Sequence, residues 1–331
     1  MQKLKIGVLG AGHLGKIHIQ CILAQPEHFE LVGFYDLDDK NAALATQKFD
    51  CQRFIDLEDF IQQCDIVDIV TPTVTHFELA AQVIKAGKHV FIEKPITQTV
   101  TEAKTLLELA NLHNVKIQVG HVERFNPAFL ALSDTPLKPM FIEAHRLAEF
   151  NPRGTDVSVV LDLMIHDLDI ILHTVQSPIK LVHASGVSIV SQTPDIANAR
   201  IEFENGCVAN LTASRLSFKQ MRKIRLFQND AYISLDFLEK TAQIIRLYEK
   251  DAANVPDIDT LIELETQNGT KLIHFQAPES APVNAIQMEL ASFKTAIVEN
   301  TTPIVSGLDG FKALEAAQLV LDAMAKNVIT V

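Results

Sequence analysis

The sequence predicts two domains of different architecture: an N-terminal α/β domain on a doubly wound parallel sheet, then a C-terminal α+β domain on an open, mostly antiparallel sheet. Three observations carry this expectation. Strand-like and helix-like segments alternate through residues 1–120, strands then follow one another with few helices between them, and a glycine-rich turn joins the first strand to the first helix. At 331 residues and 47% hydrophobic content, the chain exceeds what one core usually supports and has apolar residues enough for two. The division is placed at residues 1–120 and 121–331, with the last helix free to pack back on the first domain.

The first strand, Leu4-Lys5-Ile6-Gly7-Val8-Leu9, runs into Gly10-Ala11-Gly12-His13-Leu14-Gly15 and then a helical pattern to Ala24. This is G-x-G-x-x-G in the strand–turn–helix context it requires. Gly10 makes the tight turn, Gly12 lets backbone approach a pyrophosphate, and Gly15 lets helix pack on strand, while backbone N–H groups at His13 and Leu14 face the phosphates. A second strand over residues 30–35 ends in Asp36, a carboxylate able to bond both ribose hydroxyls of an adenosine. That favours NAD over NADP, because Asp36 would repel a 2′-phosphate and the next residue is Leu37, not a compensating arginine.

The alternation continues with helices over 41–49 and 57–63, a short segment at 52–54, and a strand over 66–70 that Thr71-Pro72 breaks. A helix over 76–86 leads to the strand that ends at Glu93-Lys94-Pro95; another over 101–113 precedes a strand over 116–120. Ligands of doubly wound sheets lie beyond the carboxyl ends of the strands. Gly10, Asp36, Thr71-Pro72, Lys94 and Gly120-His121 all fall at such ends, so one rim can collect them around one cofactor.

Lys94 closes the apolar run His89-Val90-Phe91-Ile92, where an ammonium must find anionic partners or titrate at lower pH. Pro95 stops the strand and limits the backbone next to it, as a reacting group needs. The bland alternative is a lysine that snorkels from a strand end.

Beyond residue 120 strands are expected over 140–147, 181–190, 199–203, 207–213, 223–227, 231–236 and 241–248, with Asn205-Gly206 as a hairpin turn. The polar stretch 251–268 reads as a mobile surface excursion, and helices return over 283–299 and 310–326. One further helix, 156–174, is apolar over most of its circumference yet carries Asp162 and His166 at i, i+4 on one face, with Asp169 or Ile170. A carboxylate one turn from an imidazole is the make-up of an acid/base site. No third histidine or cysteine completes a metal set, so no metal is assigned, and a satisfied core histidine is the structural alternative.

The formal charge of −12 argues against a nucleic-acid binder and leaves any anionic substrate to a few local cations. Cys21, Cys51, Cys64 and Cys207 lack metal-ligand or C-x-x-C spacing and read as buried thiols of a reducing compartment. No apolar run is long enough to cross a membrane, and the first strand starts too near Met1 for a signal peptide; a cytoplasmic protein is expected.

In this order, Gly10 to Gly15, Thr71-Pro72 with His76, Glu93-Lys94-Pro95, Gly120 with Arg124-Phe125 and Pro127, and Asp162-x-x-x-His166-Asp167-x-Asp169 resemble the Gfo/Idh/MocA family of NAD(P)-dependent oxidoreductases over nearly the whole chain. The resemblance implies an N-terminal Rossmann domain, an active site between the domains, a C-terminal open sheet used in a homodimer or homotetramer, and a Lys94–Pro95 peptide that can be cis. It implies Lys94, Asp162 and His166 as the catalytic set. Around the cofactor it places Gly10, Gly12, His13, Leu14, Gly15, Asp36, Thr71, Pro72, His76, Glu93, Lys94 and Arg124.

The chemistry of the residues agrees. Removing hydride from a secondary alcohol requires its hydroxyl proton to leave too, which His166 suits, with Lys94 stabilising the developing alkoxide and Asp162 orienting them. For substrate, His121, Arg124, Asn151 and Arg153, with Asp162 and His166, suit sugar hydroxyls, carboxylates or a pyrophosphate. Val122-Glu123-Arg124-Phe125-Asn126-Pro127 together with the Asp162–His166 segment looks more like the nucleotide-sugar branch, the UDP-N-acetylglucosamine 3-dehydrogenases, than like inositol or free-sugar enzymes. That branch implies a 3-keto sugar nucleotide as product and a partner aminotransferase supplying amino sugar for lipid A or lipopolysaccharide. An inositol or free-sugar dehydrogenase and a non-catalytic NAD(P)-binding sensor are the alternatives.

Overall fold

The structure, a computed structural model, describes residues 3–151, 157–251, 255, 260–267 and 269–326. It divides into two compact units, Met1–Phe125 with Asn284–Glu315, and Asn126–Val283 with Ala316–Val331.

In the first unit β1 (Leu4–Leu9), α1 (His13–Leu23), β2 (Phe29–Tyr35), α2 (Asp39–Phe49), β3 (Arg53–Phe54), α3 (Leu57–Gln63) and β4 (Ile66–Ile69) alternate. The pattern continues with α4 (His76–Lys85), β5 (His89–Glu93), α5 (Val100–His113) and β6 (Ile117–Gly120). The six strands lie in the order β3-β2-β1-β4-β5-β6, every pair parallel. Ile6, Val8, Ile66, Val67, Val90 and Phe91 are fully buried, because helices cover both faces of a parallel sheet and its strands therefore read as nearly continuous apolar runs. Local chemistry sets the helix ends. Asp38 accepts from the backbone N–H groups of Lys40 and Asn41 to start α2, and a reciprocal Thr99–Glu102 capping box starts α5, which ends at Asn114 in the left-handed conformation.

The division expected at residue 120 differs from this arrangement, because residues 284–315 return to the first unit. Helix α8 (Ala285–Val298) buries Leu290, Phe293 and Ala296, and Phe293 meets Phe91 of β5 with ring centroids 6.4 Å apart. Val119 N–H donates to Val305 O at 3.0 Å, and Gln118 bridges to Ser306, so the segment also lines the free edge of β6.

The second unit holds α6 (Pro127–Leu130), β7 (Phe141–Leu147), α7 (Ile165–Val175), β8 (Ile179–Val187), β9 (Ile196–Phe203) and β10 (Val208–Ser214). Then come β11 (Met221–Gln228), β12 (Ala231–Asp236), β13 (Thr241–Glu249), β14 (Ile262–Thr266) and β15 (Gly269–Gln276). They form one nine-stranded sheet, β14-β15-β13-β12-β11-β7-β10-β9-β8, antiparallel except for the β7–β10 pair. Alternation is clean in β12, where Ala231, Ile233 and Leu235 are buried, as expected for a sheet with one covered face.

Part of the stretch expected to be a surface excursion is sheet. β14 pairs with β15 at the sheet edge, and all five of its residues are exposed. Glu263 and Glu265 alternate with Ile262 and Leu264, a charged edge that discourages further pairing and for the same reason looks like loop in a hydrophobicity pattern. The helix expected over 156–174 opens instead as a π-helical turn, Val160–Met164, that runs into α7; Asp156 lies outside the described residues. Among the described residues no helix is long and apolar enough to cross a membrane.

Candidate active site

The rim of the parallel sheet is built for a dinucleotide. Gly10 turns the chain at φ 95°, and a Cβ there would lie 2.8 Å from Val70 O. A Cβ on Gly15 would strike Gly10 O, so helix α1 can pack this close only without a side chain. Gly12 caps α1 with no side chain taking its free N–H groups, and a Cβ there would meet nothing within 4 Å. The side chains of His13 and Leu14 are exposed beside it. Open backbone donors at a helix start fit a pyrophosphate.

Asp36 stands at the end of β2 with Oδ2 accepting from Ala11 N–H at 2.6 Å and Oδ1 from Asp38 N–H at 2.7 Å. The glycine loop and the carboxylate are thus one hydrogen-bonded unit. An arginine does stand near Asp36, contributed by β3 and not by position 37. Arg53 Nη2 donates to Asp36 O at 2.9 Å and to Asp39 Oδ1 at 2.8 Å. Leu37 is exposed.

At the next strand ends, Thr75 Oγ1 donates to Pro72 O at 2.8 Å and shares a hydrogen bond with the Thr71 hydroxyl at 2.7 Å. His76 is buried, with one ring nitrogen 2.9 Å from Thr71 O and the other 2.9 Å from Pro95 O. It therefore ties two rim loops together, and burial holds its pKa below the ordinary imidazole value against those carbonyls. The Lys94–Pro95 peptide is cis. Lys94 N–H donates to Glu93 Oε2 at 3.1 Å. His121 and Arg124 are buried, and Arg124 Nη2 lies 3.8 Å from Asp309 Oδ1.

Behind this rim is a buried polar cluster that sequence reading missed apart from Glu93. His18 Nδ1 lies 2.9 Å from Asp68 Oδ2, and its Nε2 faces Glu93 Oε1 at 3.3 Å, an ion-pair distance without hydrogen-bond alignment. Glu289 of α8 is fully buried beside them, with neither carboxyl oxygen hydrogen-bonded. Burial pulls the His18 pKa down, but the charges of Asp68 and Glu93 outweigh it and hold the imidazole well above its ordinary value. Burial pushes Asp68 up, against the pull of the imidazole beside it. Burial likewise opposes the Glu93 carboxylate, but His18 and then Lys94 keep it below its ordinary range. For Glu289, burial and the Glu93 charge both act upward and outweigh the pull of His18. One donor atom each from His18, Glu93 and Glu289 falls within 4.8 Å of the others, a spacing a cation could also bridge. The available signal was Asp68 itself, a carboxylate inside the apolar run Ile66-Val67-Asp68-Ile69-Val70.

In the second unit Asp162 sits in the π-helical turn and His166 in the first turn of α7, both half-buried. The wider turn replaces the regular i, i+4 stacking assumed from sequence, and π-turns inside helices recur at functional sites. Asp169 and Ile170, expected on the same face, are buried. Asp167 pairs with Arg146 of β7, Nη2 to Oδ1 at 2.7 Å and Nε to Oδ1 at 3.1 Å. Asn151 is exposed, and Arg153 lies outside the described residues.

Family models match both units. Residues 4–121 match the oxidoreductase family with an NAD-binding Rossmann fold, and residues 138–233 match the GFO/IDH/MocA C-terminal domain. The chain is 35% identical over 319 residues, 96% of each chain, to the UDP-N-acetylglucosamine 3-dehydrogenase of Acidithiobacillus ferrooxidans. The chain belongs to the Gfo/Idh/MocA family.

A solved structure of that Acidithiobacillus enzyme superposes with a TM-score of 0.87 at 34% identity, covering 98% of this chain and 99% of the other. An inositol 2-dehydrogenase of Rubrobacter xylanophilus is 26% identical over 56% of each chain. A levoglucosan dehydrogenase solved with NADH and levoglucosan shares the fold, with a TM-score of 0.83 at 19% identity over 99% of this chain and 98% of that one. This Gfo/Idh/MocA protein is therefore an NAD-dependent dehydrogenase.

Proposed function

We propose that this protein is an NAD-dependent UDP-N-acetylglucosamine 3-dehydrogenase, oxidising the 3-hydroxyl of the sugar nucleotide to a ketone. The observation that carries the reading is the end-to-end relationship to the Acidithiobacillus enzyme, 35% identical over 96% of both chains. NAD, when bound, supplies the hydride acceptor. Asp36 selects it by holding the adenosine ribose and repelling a 2′-phosphate.

Two side chains handle the proton and the charge. His166 takes the substrate hydroxyl proton as general base, oriented by Asp162, while Lys94 donates to the same oxygen as its negative charge develops. In the reverse direction His166 returns the proton as the carbonyl is reduced. His121, Arg124, Asn151 and Arg153 receive the hydroxyls and the pyrophosphate of the substrate. The protein works in the cytoplasm, and its 3-keto product is drawn off by an aminotransferase. Exposed Leu181, Val187 and Phe275 on the open sheet support a homodimer or homotetramer.

Mixing the protein with NAD and UDP-N-acetylglucosamine and following reduced-nicotinamide absorbance tests the reading. Reduction with this substrate, and a new 3-keto sugar nucleotide by mass spectrometry, is the expected result. Reduction with inositol or a free sugar alone assigns another substrate; bound NAD with silence toward every alcohol makes the protein a sensor.

A further inference from the structure

The His18 cluster joins the glycine-loop helix to the Glu93-Lys94 corner. His18 stands on α1, two turns behind Gly12, held edge-on by Phe91 with ring centroids 5.8 Å apart. Asp68 projects from β4, Glu93 from the end of β5 and Glu289 from α8, whose Glu289 carbonyl accepts from Gln118 Nε2 of β6 at 2.6 Å. The groups facing the imidazole are thus Asp68, Glu93, Glu289 and, on its own helix, Cys21. The Glu93 carboxylate occupies space that a side chain at 120 would fill: a Cβ on Gly120 would lie 2.7 Å from Glu93 Oε1. One oxygen of Glu93 thus faces His18 and the other accepts from Lys94 N–H.

We propose that His18 is a positioning residue: anchored by Asp68, its imidazole grips the Glu93 carboxylate, which holds the Lys94 backbone and so sets where the lysine stands. This rests on the proposed role of Lys94 at the substrate oxygen. An isolated carboxylate at a dry strand end would protonate or swing out toward water, and Glu93 does neither while a cation holds its inner oxygen. Glu289, whose carboxyl burial and the Glu93 charge push toward the neutral form, closes the cluster from α8. Placing the clamp behind the rim leaves its outer side for cofactor and substrate, and displacing a reacting group by about 1 Å can cost about a hundredfold in rate.

The test combines kinetics with a readout that needs no substrate. His18→Gln keeps a donor toward Glu93 and loses the charge. Its kcat is expected to fall about ten- to a hundredfold, with KM for the sugar nucleotide and Kd for NAD within about threefold. Glu93→Gln should fall similarly, and the double variant should be no slower than the slower single one, since both break one linkage. Should His18→Gln not fold, Asp68→Asn removes the anchor and is read the same way. Unchanged kcat with lowered thermal stability, or losses that multiply in the double variant, would overturn the proposal by showing a merely structural cluster. Nitrogen-15 spectra of the imidazoles test the linkage even if no alcohol turns over. One histidine should stay cationic well beyond the pH at which an ordinary imidazole loses its proton, and its signal should vanish in His18→Gln. A neutral His18, or a stoichiometric divalent metal in the purified protein, overturns the proposal, whereas failure of sugar-nucleotide turnover alone overturns only the substrate assignment.

Discussion

Arg146 Nη2 lies 2.7 Å from Asp167 Oδ1, each side chain 3% exposed, and this pair bolts the helix that carries His166 to strand β7. Breaking a buried pair by removing one partner costs about 3–5 kcal/mol, because a charge is left in a dry site. Asp167→Asn is therefore expected to lower unfolding stability by about 3 kcal/mol in urea titrations. A loss below about 1 kcal/mol, the size of a surface pair, would show that the pair does not hold the helix.

Lys94→Met removes the donor and keeps much of the volume. Turnover should drop about a hundredfold or more, the scale of losing one electrostatic stabiliser, while Kd for NAD stays within about threefold. Stopped-flow hydride transfer and fluorescence titration of the cofactor measure the two separately. Wild-type turnover in this variant would remove Lys94 from the mechanism.

Asp36→Ser should lower the ratio of kcat/KM for NAD to that for NADP by about tenfold or more, since one repulsive charge and two ribose hydrogen bonds go together. Arg53 is the residue placed to exploit the change. Adding Arg53→Met should then cancel the gain in NADP use; an unaffected gain would mean that Arg53 stays with Asp39.

Asp195 accepts from the N–H groups of Ile189 and Val190, each at 2.7 Å, and of Ser191 at 3.1 Å. Burial opposes its charge, but these bonds prevail and its pKa falls from 3.8 to about 2. A carboxylate with a lowered folded-state pKa adds stability above its unfolded value and loses it as pH falls through the folded one. Its contribution, about 2 kcal/mol, is thus complete above about pH 5 and fades toward pH 2. Asp195→Asn should lower the melting temperature at pH 7 and leave it nearly unchanged near pH 2; an equal loss at both would rule out the ionised clasp.

Burial pushes the Cys64 thiol up to about 12 and Cys207 up to about 11. Neither is expected to react with a disulfide reagent at pH 8 in the folded protein, and both should react on unfolding, as cysteine-labelled peptides would reveal.

Local patterns made the N-terminal half legible. Gly10, Gly12 and Gly15 between an apolar strand and a helix have few structural solutions, and Asp36 follows at the distance one βαβ unit sets. The seven expected strands of the second unit were found with ends moved by a few residues, because pairing partners decide where a strand stops. β14 and β15 were both missed, and β14, a fully exposed edge, carries no apolar signal. The i, i+4 argument located Asp162 and His166 but not the π-turn between them, which depends on how that helix seats on its sheet. His18, Asp68 and Glu289 stayed invisible as a group because they are 50 and 221 residues from one another along the chain.

By itself the sequence determined the parallel sheet, the cofactor turn, the corner at Lys94 and the family, all written in short windows where backbone geometry and residue type constrain each other. Only the tertiary structure decided which buried charges meet, where Arg53 points, and that residues 284–315 complete the first unit. The reason is physical. Desolvation makes an isolated buried charge costly, so its meaning lies in its partners, and those partners are chosen by packing across the fold and not by neighbours along the chain.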